Sequence, residues 1–180
     1  MRKFNNHSLF VLSMLFGFLM HGSVASAQQA KAIANPYYSR VDTTTLEVSN
    51  SVWKKILPAD LYSVAREGAT EQAFTGVYND FDGKGTYYCA VCGNALFRST
   101  AKFATTCGWP SFYEPMRDGS VFYEDDYSYN MHRIEVRCGR CDSHLGHVFD
   151  DGPAVTGKRY CMNSISLTFE ADSPKNKFKK

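Results

Sequence analysis

Two C-x-x-C pairs, Cys89-Ala90-Val91-Cys92 and Cys138-Gly139-Arg140-Cys141, constrain this chain more than any other feature. Each follows an apolar or aromatic run and sits at a turn beside glycine, the signature of a strand ending in a tight loop. Two intervening residues let both sulfurs of a pair reach one ion, and glycine lets the backbone wrap around them. Two such pairs make a closed Cys₄ tetrahedron with no open position for substrate, which is the chemistry of structural zinc. The interval between them is wider than in short zinc fingers. It must therefore hold strands, and a metal would clip two distant parts of a sheet. Two alternatives stand beside zinc: disulfides, which six cysteines can form in about 15 pairings, and a redox-active C-x-x-C.

The chain has 180 residues, 44% hydrophobic and 14% aromatic. That is enough apolar surface for one domain with a real core, and it excludes disorder as the main state. A mean hydropathy of −0.33 excludes a polytopic membrane protein. The net charge of +2 is too small for a dedicated nucleic-acid binder. Residues 1–27 read as a secretory signal peptide. Arg2 and Lys3 open it, Leu9 to Met20 is an apolar run too short for a comfortable membrane span, and Ala25-Ser26-Ala27 is a small-residue cleavage site. Cleavage there leaves 18 basic and 18 acidic residues. The expectation is an exported protein, periplasmic or secreted further, with no stable membrane anchor and no nucleic-acid partner. All six cysteines lie in the mature part, in an oxidising compartment.

Residues 28–46 are polar and carry the turn signal Asn35-Pro36, an extended leader or linker. Asn50 or Ser51 can cap a short helix with Val52, Trp53, Ile56 and Leu57 on one face. Pro58 suits the first turn of a second helix ending near Gly68. After Gly76 short Tyr/Phe/Val-rich runs alternate with Asp-Gly turns, giving candidate strands at Thr86–Ala90, Ala95–Ser99, Ser120–Glu124, His132–Arg137, Leu145–Phe149 and Arg159–Glu170. The fold expected over 47–171 is mainly β and antiparallel, behind a short helical N-terminal region, with a basic tail over 172–180.

The other two cysteines differ from the paired ones. Cys107 lies in Thr106-Cys107-Gly108-Trp109-Pro110-Ser111-Phe112, a loop by its Gly and Pro. Cys161 feeds an alternating strand. If the period of two extends back, Arg159, Cys161 and Asn163 share a face. A guanidinium beside a thiol lowers its pKa, and the thiolate is the nucleophile. His144 and His147 follow the second C-x-x-C pair, and either can donate a proton near neutral pH. Taken alone, a buried structural thiol and two loop histidines bonded to carbonyls are the commoner outcome. Two rivals from other classes follow from the same residues. One is a thiol–disulfide oxidoreductase, disfavoured because neither C-x-x-C leads into a helix. The other is a zinc-ribbon module that binds protein.

Four separated stretches occur in order: Gly85-Thr86-Tyr87-Tyr88-Cys89-Ala90-Val91-Cys92-Gly93, Cys107 through Phe112, His144-Leu145-Gly146-His147-Val148-Phe149, and Arg159-Tyr160-Cys161-Met162-Asn163-Ser164. On these, the chain from about Ser51 to Glu170 resembles the methionine-R-sulfoxide reductase family. The resemblance implies two antiparallel sheets with N-terminal helices and a zinc clip of Cys89, Cys92, Cys138 and Cys141, one structural Zn²⁺ per chain. It implies Cys161 as nucleophile and Cys107 as resolving thiol. His144, His147 and Asn163 would be catalytic, with Trp109, Arg159 and Phe149 around the substrate. The implied substrate is methionine-R-sulfoxide, free or in proteins, and the implied reductant is thioredoxin-like; the role would be repair of oxidised exported proteins. One departure is Ala104-Thr105-Thr106, where the family has a polar stretch ending in Ser-Gly. That departure bears on the efficiency of resolution.

Overall fold

Alternating aromatic and polar residues, cut by turns, fold in the computed structural model into nine strands among the described residues, which are 34–173. The signal-peptide reading of residues 1–27 lies outside them, as do residues 174–180 of the tail. One sheet has three antiparallel strands: β1 (Gly85–Cys89) in the centre, flanked by β2 (Ala95–Arg98) and β9 (Leu167–Ala171). The other has six, in the order β3 (Lys102–Phe103), β4 (Ser111–Phe112), β8 (Arg159–Met162), β7 (His144–Phe149), β6 (Arg133–Cys138) and β5 (Val121–Asp126). Every pairing is antiparallel. The fold is thus mainly β and antiparallel, as the sequence pattern implies, with the two sheets that the family resemblance implies. Among the described residues no helix is long and apolar enough to cross a membrane.

The core lies where the two sheets meet. Phe97 of β2 stacks on Phe112 of β4 at 4.4 Å between centroids, and Tyr87 of β1 meets the same ring edge-on at 4.9 Å. All three are fully buried, each contributing about 2–3 kcal/mol by area. The helices α1 (Asn50–Ile56) and α2 (Ala59–Glu67) add Trp53, Leu57, Leu61 and Ala65 to the same core. Gly68, in the left-handed conformation at φ +72°, ends α2.

The run Arg159–Glu170 reads as one strand in the sequence but forms two. A 3₁₀ turn over Ser164–Ser166 separates β8 from β9, and the chain changes sheets there. The cause is Glu71, in the loop after α2. Its carboxylate accepts the backbone N–H groups of Ser164 (2.6 Å) and Ile165 (2.9 Å), which a strand would have given to a ladder. The pairs β3 and β4 are two residues each, too short to show alternation.

Residues 35–46 run extended over the first C-x-x-C turn. Ser39 N–H donates to the Cys92 carbonyl (2.9 Å), and Asn35 Nδ2 to the Val91 carbonyl (2.7 Å). A Cβ on Gly93 would stand 2.6 Å from the Ser39 oxygen, so only glycine permits this approach. Arg140 is 2% exposed and holds the segment from below. Its guanidinium donates to the carbonyls of Tyr37, Thr44 and Cys92 and to the Asp42 carboxylate. Arg140→Ala takes the guanidinium donor from the Tyr37 and Thr44 carbonyls and leaves Cys92 with the Ser39 N–H alone, and should lower the unfolding free energy by about 2–4 kcal/mol. Asp42→Asn, which alters only the exposed end of the network, should cost much less. Urea denaturation of the two variants measures the difference.

Candidate active site and metal centre

The two C-x-x-C turns are built alike. At the first, Cys89 N–H donates to the Asn94 carbonyl and Gly93 N–H returns to the Cys89 carbonyl. At the second, Cys138 N–H donates to Ser143 and Asp142 N–H returns to Cys138. Gly93 (φ +79°) and Asp142 (φ +59°) occupy matching left-handed positions. The four sulfurs lie within 4.8 Å of one another, all buried. Cys89 and Cys141 are 3.7 Å apart and Cys92 and Cys138 3.6 Å, far longer than the roughly 2.05 Å of a disulfide. A tetrahedron with metal–sulfur bonds of about 2.3 Å has edges of nearly 3.8 Å, so the spacing fits a tetrahedral ion. Asn94 Nδ2 and the Ser143 hydroxyl point at Cys138 and Cys141 sulfur, as donors to thiolates would. The cluster can hold a metal ion.

A second site lies on β8. Register puts Cys161 opposite Ser111 of β4 on one side and opposite His147 of β7 on the other. Gly146 makes this possible, because a Cβ there would stand 2.1 Å from the Cys161 oxygen. A depression of about 110 Å³ is lined by Cys161, Asn163, His147, Trp109, Phe149, Gly146, Thr70 and Arg133. Five of the eight residues the sequence singles out for this site therefore meet there. The other three stand behind its wall. Cys107 Sγ is 3.4 Å from Cys161 Sγ. Arg159 lies over the Phe149 ring at 4.4 Å and is held by Asp151 through two bonds of 2.8 Å. His144 is buried behind His147, with Nδ1 on Glu135 and Nε2 without a partner.

The thiol pair shares charge unequally. Burial pushes the Cys161 thiol up to about 12, and the charge of Cys107 adds to this; Arg159 opposes both and is outweighed. That corrects the simple expectation of a thiol lowered by its guanidinium. Burial also works against a Cys107 thiolate. Contacts with Ser111, Thr105, the Trp109 backbone and Cys161 outweigh it and bring that group down to about 7. As pH rises, Cys107 thus ionises first and Cys161 keeps its proton.

His147 Nε2 meets Asp126 at 2.8 Å. Burial lowers the His147 pKa, as do Arg133 and His144; the Asp126 contact resists. Burial likewise works against the Asp126 carboxylate, but Ser128, His147 and Arg133 hold it ionised far below the usual range. Arg133 closes the triad at 2.6 Å from Asp126.

Sequence reasoning missed Glu71, Asp126, Arg133 and Glu135. On β6, Arg133, Glu135 and Arg137 alternate with Ile134, Val136 and Cys138, so strand period alone could have shown a charged face there. Glu71 carries no local signal. Yet its N–H donates to Asn163 Oδ1 (3.0 Å) and its carbonyl accepts from Trp109 Nε1 (3.3 Å), so one loop residue orients two walls of the depression.

The SelR-domain family matches residues 57–171. This chain belongs to that family. It is 51% identical over 122 residues to a protein of Azotobacter vinelandii named peptide methionine sulfoxide reductase MsrB, covering 68% of this chain and 92% of that one. It is 49% identical over 133 residues to a probable methionine-R-sulfoxide reductase B of Caenorhabditis elegans, covering 73% and 88%. A relative in Methanosarcina barkeri with the Azotobacter protein's name is 51% identical over 127 residues, covering 71% and 89%. Among solved structures, a Mis18 "Yippee-like" domain aligns with a TM-score of 0.42 and 17% identity over 51% of this chain and 99% of that one, too slight to carry an argument.

The division of charge between the two thiols has a direct test. At pH 7 iodoacetamide should modify Cys107 more than about tenfold faster than Cys161, and Cys161 should react as pH rises. Mass-spectrometric mapping of the two peptides measures it.

Proposed function

We propose that this chain reduces methionine-R-sulfoxide to methionine through Cys161 and Cys107, as follows. Family membership, with relatives about half identical over most of their length that bear the names of methionine sulfoxide reductases, makes it an enzyme of that class. The observation that carries the mechanism is the 3.4 Å contact between Cys107 and Cys161 at the foot of a depression sized for one side chain. The sulfoxide methyl group packs against Trp109, where one epimer fits and its mirror image clashes. Cys161 attacks the sulfoxide sulfur, and the oxygen gains protons as charge builds on it. His147, opposite Cys161 in the β7–β8 register and lining the depression, supplies one; His144, locked behind it on Glu135, positions it. Methionine leaves and Cys161 becomes a sulfenic acid. Cys107 attacks that sulfur, giving a Cys161–Cys107 disulfide and water. A dithiol donor of thioredoxin type restores both thiols. Glu71 keeps Asn163 and Trp109 in place throughout.

Cys89, Cys92, Cys138 and Cys141 would hold one Zn²⁺ per chain. The ion has no open position and supplies rigidity to the loop that carries His144 and His147, not chemistry. Residues 1–27 are read as an export signal, which makes the reductase a repair enzyme outside the cytoplasm with reducing power delivered across the membrane. Mass analysis of the N-terminus of the exported protein tests that reading.

Turnover of the separate R and S epimers of a peptide methionine sulfoxide with dithiothreitol tests the reaction. Activity is expected on R alone and should vanish in Cys161→Ser. Activity on S, or none on either epimer in folded protein, would overturn the proposal. Cys107→Ser should release about one methionine per enzyme and then stop when thioredoxin is the only reductant. Elemental analysis should find one zinc per chain in both variants.

His147→Ala should slow methionine release by on the order of 100-fold. The acid form of His147 is present below its pKa, which lies below the ordinary value, so the step should decline as pH rises through that range. Asp126→Asn removes a contact that favours the imidazolium and should move the decline to lower pH. A single-turnover pH profile measures the displacement.

A further inference from the structure

We propose that Thr105 is a positioning residue for the second half of this reaction, its hydroxyl donating to Cys107 Sγ and holding that sulfur against Cys161. The inference rests on the reading of Cys107 as the resolving thiol.

Four groups surround Cys107 Sγ. Thr105 Oγ1 is the nearest at 2.9 Å; Ser111 Oγ, Cys161 Sγ and the Trp109 carbonyl each stand at 3.4 Å. The two hydroxyls are not equivalent. Ser111 has other acceptors, the Trp109 carbonyl at 3.3 Å and Thr105 Oγ1 at 3.2 Å, so its hydrogen is divided. Among the described residues Thr105 Oγ1 meets only the Ser111 oxygen and the Cys107 sulfur, and the sulfur is closer. Its hydroxyl is therefore committed to the sulfur. The Trp109 carbonyl, which can only accept, serves the thiol form instead. Cys107 thus has a donor for its thiolate and an acceptor for its thiol in one loop.

The charged and titratable groups facing this sulfur are Cys161, and Arg159 on β8, whose charge acts on both thiols. Arg159 is engaged by Asp151 and makes no hydrogen bond to either sulfur. Local stabilisation of a Cys107 thiolate therefore falls to the two hydroxyls and the Trp109 backbone, with Thr105 Oγ1 the nearest donor. The resulting pKa of about 7 keeps roughly half of Cys107 as thiolate at neutral pH. An ordinary thiol would hold a few per cent.

In the resolving step the Cys107 thiolate attacks the sulfur of Cys161–SOH. The S–S bond forms and the S–O bond breaks. The departing hydroxide takes up the proton that Cys107 gave up on ionising and leaves as water. Cys107 is oxidised by one electron equivalent and Cys161 reduced by one, so the step needs no further oxidant. Thr105 acts by raising the thiolate fraction and by fixing the line of attack. A thiol of lower pKa is intrinsically less nucleophilic, so the advantage is largest near neutral pH and disappears in alkali.

The test uses the zinc-loaded full chain and the isosteric substitution Thr105→Val, with Thr105→Ser as the variant that keeps the hydroxyl. One equivalent of an R-sulfoxide peptide is added without dithiol. Methionine release and loss of free thiol are then followed separately after acid quench. The ratio of resolving rate to release rate should fall roughly fivefold at pH 7 in Thr105→Val and converge with wild type near pH 9. The iodoacetamide midpoint at Cys107, mapped by mass spectrometry, should rise by about one pH unit. Thr105→Ser should restore both. An unchanged midpoint in Thr105→Val, or a Thr105→Ser variant as impaired as the valine one, would overturn the proposal. Wild-type protein that releases no methionine would instead overturn the reading of the reaction, and the Cys107 midpoint would still decide the role of Thr105.

Discussion

Four buried sulfurs gathered within 4.8 Å of one another govern this structure. Each thiolate alone in the core would be prohibitively costly. Together, around an ion, they would convert that cost into a bond between the end of β1 and the end of β6, strands of different sheets. The second C-x-x-C turn leads directly into β7, so the position of His144 and His147 follows from that of the cysteine cluster. Arg140 extends the same centre outward. It spends its guanidinium on carbonyls of the extended segment and of Cys92 and so closes the first turn against solvent. The cluster therefore joins the two sheets and sets the entry of the strand that pairs with Cys161.

Reactivity is confined to the opposite kind of environment. Cys107 and Cys161 are only partly buried, and apart from each other their neighbours are hydroxyls, a backbone carbonyl and a guanidinium. Burial alone would keep both protonated. Polar contacts reverse that for Cys107 and fail to reverse it for Cys161. Near neutral pH one thiol is thus partly ionised, while the other keeps its proton. The carboxylates behind the histidines divide labour in a similar way. Asp126 faces the histidine that lines the depression, and Glu135 the one that does not.

The sequence made the strands, the paired turns and the cluster of four cysteines legible because each is a local pattern: period-two alternation, Gly after C-x-x-C, two matching pairs. It also brought Cys161, Asn163, His147, Trp109 and Phe149 to one place through motifs. What stayed hidden is contact over distance. The break between β8 and β9 comes from a carboxylate more than ninety positions earlier, and no periodicity in Arg159–Glu170 reveals it. The alternation of Ile165, Leu167 and Phe169 continues through the turn, so the pattern reads as one strand while the hydrogen bonds make two. Arg159 is a subtler case. Its effect on Cys161 has the sign that the sequence suggests, but burial and a second thiol reverse the net result, and neither is a property of neighbouring residues.

The partition of the six cysteines also answers a chemical problem that an oxidising compartment would pose. Six free thiols can cross-pair in many ways, and most pairings would destroy either the clip or the site. In the folded chain the two C-x-x-C pairs face one another at 3.6–3.7 Å with 0–2% exposure, so an oxidant must open the core to reach them. Metal binding strengthens that protection, since a coordinated thiolate is no longer free to attack a disulfide. Cys107 and Cys161 are less buried and face each other at 3.4 Å, the one pairing that the proposed reaction would make and a reductant would reverse. An oxidant that would damage an unsorted set of thiols would then meet this pair before the buried four.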